Sequence, residues 1–309
     1  MNYPNLQKMQ FTALSQKRDP LTMVNTQPIL VKKIVMVYQL EYTNGGIYGF
    51  GDFIRGCFCL IGLCKHMNLM FDIDLSNHPL SKYLEGHIKS PTINYNNISK
   101  MEISYNPFGV MLKSPELFYT NFKRLLQNVN RDVYYTTTNS FPIFNVGQTE
   151  VEFIKSRLIP NVQTQEEIEQ ELANLNLINN EFSVIHIRVG DNFLFNENNL
   201  LNESSVNKIF TNLRSLLDNK NRKYLILSDS PRLKILFKPY DNCVFQIKPI
   251  THLGEQRVLK DASVRNTMID FYLMSRASYI YSYSMLEHGS GFSKWCATVY
   301  NIPYESHIM

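Results

Sequence analysis

One feature constrains the fold more than any other. Near the start of the chain a β-rich run, a glycine-bearing loop, an apolar helical stretch and a second β-rich run follow one another directly. Residues 34–38, Ile-Val-Met-Val-Tyr, are β-branched and aromatic and read as a strand. The loop from Glu41 to Asp52 carries Gly45, Gly46, Gly49 and Gly51. Residues 53–67 are mostly apolar and long enough for a buried helix, and residues 69–73 form a second short strand. Strand, glycine loop, helix, strand is one βαβ unit. Parallel strands require such a crossover, so the unit commits the chain to an α/β layer.

The second half repeats the alternation. Strands are expected over 182–187, 223–227, 243–247 and 279–281, with helices over 203–217, 267–274 and 294–300. Ser204 or Ser205 stands near the N-cap of the first of these helices. Residues 75–150 are less periodic and hold Pro79, Pro91, Pro107, Pro115 and Pro142. A helix is expected there over 118–129, and another follows over 164–175, where Thr164 and Glu167 have the spacing of a capping box. The polar stretch 176–180 marks a joint. The division expected is an irregular lead-in over 1–30, an N-terminal α/β domain over 31–178 and a C-terminal Rossmann-like domain over 179–309. A chain of 309 residues suits two domains of ordinary size.

Composition excludes several classes. Lys plus Arg is 31 against 27 for Asp plus Glu, a net charge of +4, and the basic residues are scattered. A nucleic-acid partner would call for local basic clustering. The first thirty residues are polar, with Pro20 and Pro28, and show no signal peptide or anchor. The longest greasy stretch, residues 57–71, is interrupted by Lys65, His66 and Asn68, too polar to span a bilayer. Five cysteines without framework spacing point to the cytoplasm or another reducing compartment. Cys57 and Cys59 read as small core residues. No phosphate-binding Gly-Lys-Ser/Thr loop, nucleophile elbow or His-Glu-x-x-His motif occurs.

Open parallel sheets bind ligands beyond the carboxyl ends of their strands. Three polar clusters fall at such ends: Arg188 with Asp191, Ser228-Asp229-Ser230, and Ser282 with Ser284. An Arg fork after an apolar strand can hold phosphate or carboxylate oxygens, or it can pair with Asp191 to close the strand end. Gly190 would let the backbone pass close to a bound group. His186 alternates with Arg188 and shares its strand face, as a base or as a structural histidine. Gly49 and Gly51 precede a helix start, where a phosphate or sugar can approach, and Arg55 lies one turn on. Ser290-Gly291-Phe292-Ser293 opens the last helix, where hydroxyls and free N–H groups suit a phosphate, or simply a cap. Asp229 could meet a nucleoside or form a turn with Ser230-Pro231. Trp295 reads as core. Asp72-Ile73-Asp74 has the spacing of a metal–diphosphate pair, yet no metal requirement is expected.

These residues resemble a known family. His186-Ile-Arg-Val-Gly-Asp191 resembles the His-x-Arg-x-Gly-Asp element of the fucosyltransferase superfamily with the GT-B fold. Gly49-Phe50-Gly51-Asp52, followed by Gly56, resembles its N-terminal glycine loop, and Leu227-Ser228-Asp229-Ser230 is similar to its strand and loop before the last motif. Ser290-Gly291-Phe292-Ser293-Lys294-Trp295 resembles its C-terminal Ser-x-Phe-Ser-x-Trp element. The resemblance implies two Rossmann-like domains facing a central cleft. It also implies inverting transfer of L-fucose from GDP-fucose to a glycan or other hydroxyl acceptor, with no cofactor or metal needed. Arg188 would grip the β-phosphate, Ser290 and Ser293 would hold the diphosphate from the other side, and Asp229 would lie near the guanosine. Gly51 and its neighbours would close the first domain over the donor.

Two positions depart from that pattern. Many members carry a second arginine where this chain has Val189, and the glycine loop commonly continues with Asn and a Gln or Arg where this chain has Asp52-Phe53. The donor therefore stands open between GDP-fucose and another GDP- or UDP-sugar, and a non-catalytic binding protein on a transferase scaffold is a third reading. For the base that takes the acceptor proton, Asp52, Asp191, His186 and Glu287 all stand as candidates.

Overall fold

The computed structural model describes residues 28–44, 46–90, 93–105, 109–195, 201–254 and 259–309. Most of the expected lead-in, as well as Gly45, Pro91 and Pro107, lies outside them.

The first half runs β1 (Lys33–Val37), α1 (Phe50–His66), β2 (Met70–Asp74), β3 (Leu84–Glu85), β4 (Ser99–Lys100), α2 (Pro115–Gln127), β5 (Val133–Thr137), α3 (Gln148–Arg157), β6 (Ile159–Pro160) and α4 (Val162–Asn174). The second runs β7 (Phe182–Arg188), α5 (Asn192–Phe195), α6 (Glu203–Leu217), β8 (Lys223–Ser228), α7 (Pro231–Ile235), β9 (Cys243–Val244), α8 (Asp261–Met274), β10 (Tyr279–Ser284), α9 (Gly291–Tyr300) and β11 (Tyr304–Ile308).

Two parallel sheets result, one in the order β2-β1-β5-β4 and the other β11-β10-β7-β8-β9. A parallel strand covered on both faces is a mostly apolar, buried run. Phe182 to Ile187 of β7 are accordingly all buried, and so are the last four residues of β1. The sheets are joined by helices rather than separated by solvent. α1 meets α9 and α8, with the Phe58 and Trp295 rings stacked at 5.4 Å at mid-helix and Phe50, at its start, edge-on to Phe271 at 5.2 Å. Trp295 is thus a core residue, and the five cysteines are buried free thiols.

Several boundaries differ from expectation for local reasons. α1 begins at Phe50, ahead of the apolar stretch, because Asp52 in its first turn pairs with Arg55 and Gly51 lies against α9. α2 begins at Pro115, which acts as a helix-starting residue behind the Ser114 cap rather than as a breaker. α4 is capped by Asn161, whose side chain accepts the Thr164 N–H at 2.9 Å, so Thr164 sits inside the first turn and no capping box forms. α6 is capped by Asn202, which accepts the Ser205 N–H at 2.7 Å, and not by either serine. β9 pairs for only two residues before the chain leaves the sheet, whereas β10 continues to Ser284 alongside Arg188. α8 and α9 also start earlier than the pattern indicated, at Asp261 and Gly291. The strands β5 and β11 and the helix α3 were not anticipated. Among the described residues, no helix is long and apolar enough to cross a membrane.

Candidate functional site

A cleft of about 590 Å³ opens where the glycine loop and the start of α1 face the carboxyl ends of β7 and β8 and the start of α9. Gly49, Gly51 and Asp52 line one wall. His186, Arg188, Asp191, Ser228, Asp229, Ser290, Gly291 and Phe292 line the other. Arg55 and Ser293 do not line it.

Arg188 ends β7, and both arms of its fork are engaged. Nη1 donates to Asp229 Oδ2 at 2.6 Å, and Nη2 donates to Asp191. The two carboxylates are unlike. Asp229, at the end of β8, is almost fully buried and also accepts the Val189 and Gly190 N–H groups at 2.9 and 2.8 Å. Those amides converge on it because Gly190 turns the chain with φ +131°, a left-handed conformation that disfavours a side chain. Asp191 is half-exposed, and the partner it shows among the described residues is the arginine. Asp229 therefore fixes the guanidinium, while Asp191 covers its outer face. Ser228 is tied down locally, accepting the Ser230 N–H at 3.1 Å.

Ser290 is the N-cap of α9 but makes no cap bond with its side chain. The first intrahelical bond of α9 is Lys294 N–H to Ser290 C=O, so the N–H groups of Gly291, Phe292 and Ser293 precede the ladder. With Ser290, Gly291 and Phe292 in the cleft wall, the positive end of the helix opens onto it. Ser293 turns the other way. Its side chain is fully buried, bonded to His186 Nδ1 at 3.0 Å and donating to Ser282 Oγ at 3.0 Å. Burial, reinforced by the nearby Arg188 charge, pushes His186 down to about 3, so its ring is neutral.

On the opposite wall, Asp52 Oδ1 forms an ion pair with Arg55 Nη1 at 2.9 Å and sits against Gly291. Arg55 is turned out of the cleft. Its Nε donates to the Asn139 carbonyl at 2.6 Å, and its guanidinium covers Phe141 at 4.2 Å. Glu287 is exposed and outside the lining, whereas His288 is within it.

The Asp72–Asp74 pair is structural. Asp72 is gripped by Lys33 at 2.9 Å and Arg157 at 2.8 Å. Burial alone would raise its carboxyl, but these bonds hold it below its usual range. Asp74 accepts from Ser76, Ser90 and Tyr95. Among the described residues no group of three or more His, Cys, Asp or Glu side chains is placed to hold a metal ion.

Several lining residues escaped the sequence reading, among them Asn139, Thr251, His252, Thr267 and Asp270. Asp270 carried a usable signal, because it is a lone acid in the apolar run from Met268 to Met274. Burial pushes its carboxyl up to about 6, against the pull of Lys234 and Lys248. The segment holding Thr251 and His252 follows a strand only two residues long and offers no comparable signal.

No protein-family model and no curated protein sequence matches the chain. Solved structures do. NodZ α-1,6-fucosyltransferase co-crystallised with GDP matches with a TM-score of 0.51 at 10% identity, over 87% of this chain and 92% of that one. Fucosyltransferase NodZ from Bradyrhizobium matches with a TM-score of 0.50 over the same shares. A FUT1 variant from Arabidopsis thaliana in complex with GDP matches with a TM-score of 0.54 at 10% identity, over 89% of this chain and 70% of that one. At such identity the shared property is the fold. It is the GT-B fold, two Rossmann-like α/β halves facing a central cleft.

Proposed function

We propose that the protein is an inverting glycosyltransferase. It binds a nucleoside-diphosphate sugar in the cleft and transfers the sugar, L-fucose from GDP-fucose, to a hydroxyl of a glycan or another acceptor. One observation carries this reading: a guanidinium held by a buried carboxylate and the open positive end of a ten-residue helix share one cleft wall. That pairing suits a diphosphate, with Arg188 on one side and the α9 amides with Ser290 on the other. The donor half of the cleft would lie with residues 179–309, and the acceptor side with residues 31–178.

In transfer, the bond from the anomeric carbon to the β-phosphate oxygen breaks and the diphosphate gains negative charge. Arg188 stabilises that charge more than it stabilises bound donor, because Asp229 has already oriented it. Asp191, the more exposed partner, is the one a diphosphate displaces. The acceptor oxygen forms its bond from the opposite face and gives up its proton. Asp52 is the base we assign. It faces the cleft from the other wall, and its partner Arg55 is turned out of the cleft, whereas Asp191 and Asp229 hold the Arg188 guanidinium assigned to the diphosphate and His186 is too weak a base.

For the base of the nucleotide, Asp270 favours guanine. A carboxylate can accept two adjacent N–H groups from the guanine edge, but uracil offers one N–H flanked by carbonyls. That the matched NodZ and FUT1 structures hold GDP supports the same choice. A second reading, a different sugar on the nucleotide, is favoured by Val189. Its side chain turns into the apolar core of the second sheet rather than toward the donor.

The test replaces Arg188. Arg188→Ala, and Arg188→Lys to keep the charge without the fork, should lower transfer from GDP-fucose by about 100-fold or more, the cost of losing one preorganised transition-state donor. Unchanged turnover in both variants would end the assignment.

A further inference from the structure

We infer that Ser282 and Ser293 are positioning residues that fix His186 as its Nδ1–H tautomer, so that Nε2 faces the cleft as a hydrogen-bond acceptor for an N–H or O–H of the bound nucleotide. The ligand half of this inference rests on the proposed function. The tautomer half does not.

The fold brings the three side chains together. The β10–β7 register sets Ser282 directly beside His186, and the first turn of α9 returns Ser293 over both. Ser293 Oγ lies 3.0 Å from His186 Nδ1 and donates to Ser282 Oγ at 3.0 Å. A serine hydroxyl has one proton to give. Ser293 gives its proton to Ser282, so toward the imidazole it can only accept, and Nδ1 must supply the proton. The ring is neutral and carries a single N–H, which leaves Nε2 bare. Nε2 has no hydrogen bond among the described residues, and the ring lines the cleft beside Arg188 and Ser290.

A second buried histidine shows that this state is imposed locally. His78 Nδ1 accepts the Leu80 N–H at 3.1 Å, so its proton sits on Nε2 and is donated to the Leu253 carbonyl at 2.9 Å. The two histidines thus hold opposite tautomers in one chain. The serine pair also makes the His186 state switchable from a distance. With Ser282→Ala the Ser293 proton is released and can turn to Nδ1, which moves the ring proton to Nε2. The cleft then presents a donor where it had an acceptor, although nothing lining it has been changed.

The test is a long-range proton–nitrogen correlation spectrum of the full chain labelled with nitrogen-15 in histidine. His186→Gln assigns the signal, and His78 serves as the internal reference. The wild type should show His186 protonated on Nδ1 and His78 on Nε2. Ser282→Ala should move His186 to the Nε2–H form and leave His78 unchanged. An Nε2–H signal for His186 in the wild type overturns the inference whether or not any variant folds, as does an unmoved tautomer in Ser282→Ala. The ligand half is read by titrating GDP, inosine diphosphate and 2′-deoxy-GDP. GDP should bind Ser282→Ala about 10-fold or more weakly, since two donors then face each other. An analogue that loses affinity for the wild type but not for Ser282→Ala identifies the group that meets Nε2, on the base or on the ribose. Equal GDP affinity in the two proteins overturns the ligand half. Absence of GDP binding in the wild type counts against the proposed function, and the spectrum still decides the tautomer.

Discussion

Gly51→Ala probes how closely the two halves of the cleft are held. A Cβ at Gly51 would lie 2.3 Å from the Gly291 carbonyl carbon, 2.5 Å from its oxygen and 2.5 Å from the Phe292 nitrogen. Ordinary contact begins near 3.4 Å, so the starts of α1 and α9 must part by about 1 Å. All three obstacles are backbone atoms that cannot rotate aside. Overpacking of this kind costs about 1–3 kcal/mol, which lowers Tm by roughly 2–5 °C in a chain of this size. The displacement falls between Asp52 and the helix end assigned to the diphosphate, so the functional loss should exceed the stability loss. A misplacement of about 1 Å can cost on the order of 100-fold in rate. Gly46→Ala is the matched control, because a Cβ there meets nothing within 4 Å, and it should stay within about 0.5 kcal/mol of the wild type. Thermal unfolding and transfer from GDP-fucose, measured on both variants, check the reasoning. A Gly51→Ala protein as stable and active as Gly46→Ala would refute the close approach.

Three further outcomes follow from the cleft and its surroundings. Asp270 gains a proton as pH falls through about 6, so GDP affinity should be full near pH 7.5 and decline below 6, and Asp270→Asn should bind weakly without that decline; a pH titration of affinity checks both. His186 and His78 are held neutral, with folded values pushed by burial to about 3 and about 4 against 6.5 unfolded. The unfolded chain therefore takes up protons first as pH falls below 6.5, and each histidine should remove about 2 kcal/mol of stability by pH 5, whereas Asp270 acts in the opposite direction; denaturant unfolding across pH in His78→Gln and the wild type measures the slope. Asp72→Asn should lower stability by breaking the contacts with Lys33 and Arg157 while leaving transfer intact, and a chelator should leave transfer unchanged; metal-dependent turnover lost in that variant would restore the metal reading.

Legibility varied with the locality of the signal. The opening βαβ unit, the strand leading to Arg188 and the last helix could be read because each is a dense apolar pattern bounded by glycine or polar residues. β11 is hidden because Tyr-Glu-Ser-His-Ile mixes polar with apolar residues and becomes a strand only beside β10, whereas β5, Val-Tyr-Tyr-Thr-Thr, does carry a β-branched and aromatic signal but stands at the end of the proline-broken, weakly periodic stretch 75–150. At the site, spacing placed Arg188, Asp191, Asp229 and Ser290 at strand and helix ends, and they do share one cleft wall. Spacing could not tell which way Ser293 points. A helix start offers its residues to both the cleft and the core, and Ser293 falls on the core side, where it meets His186. Nor could it separate Asp229, buried behind Arg188, from Asp191, which covers the same guanidinium from the solvent side.

On the proposed function, the cleft takes a nucleoside diphosphate through Arg188 and the start of α9. Calorimetric titration of GDP and UDP into the wild type and Arg188→Ala tests this most directly. One GDP should bind per chain, UDP should bind more weakly, and Arg188→Ala should lose GDP binding by about 10-fold or more. The proposed function would be contradicted if the wild type bound neither nucleotide at millimolar concentration, or if Arg188→Ala bound GDP as tightly as the wild type.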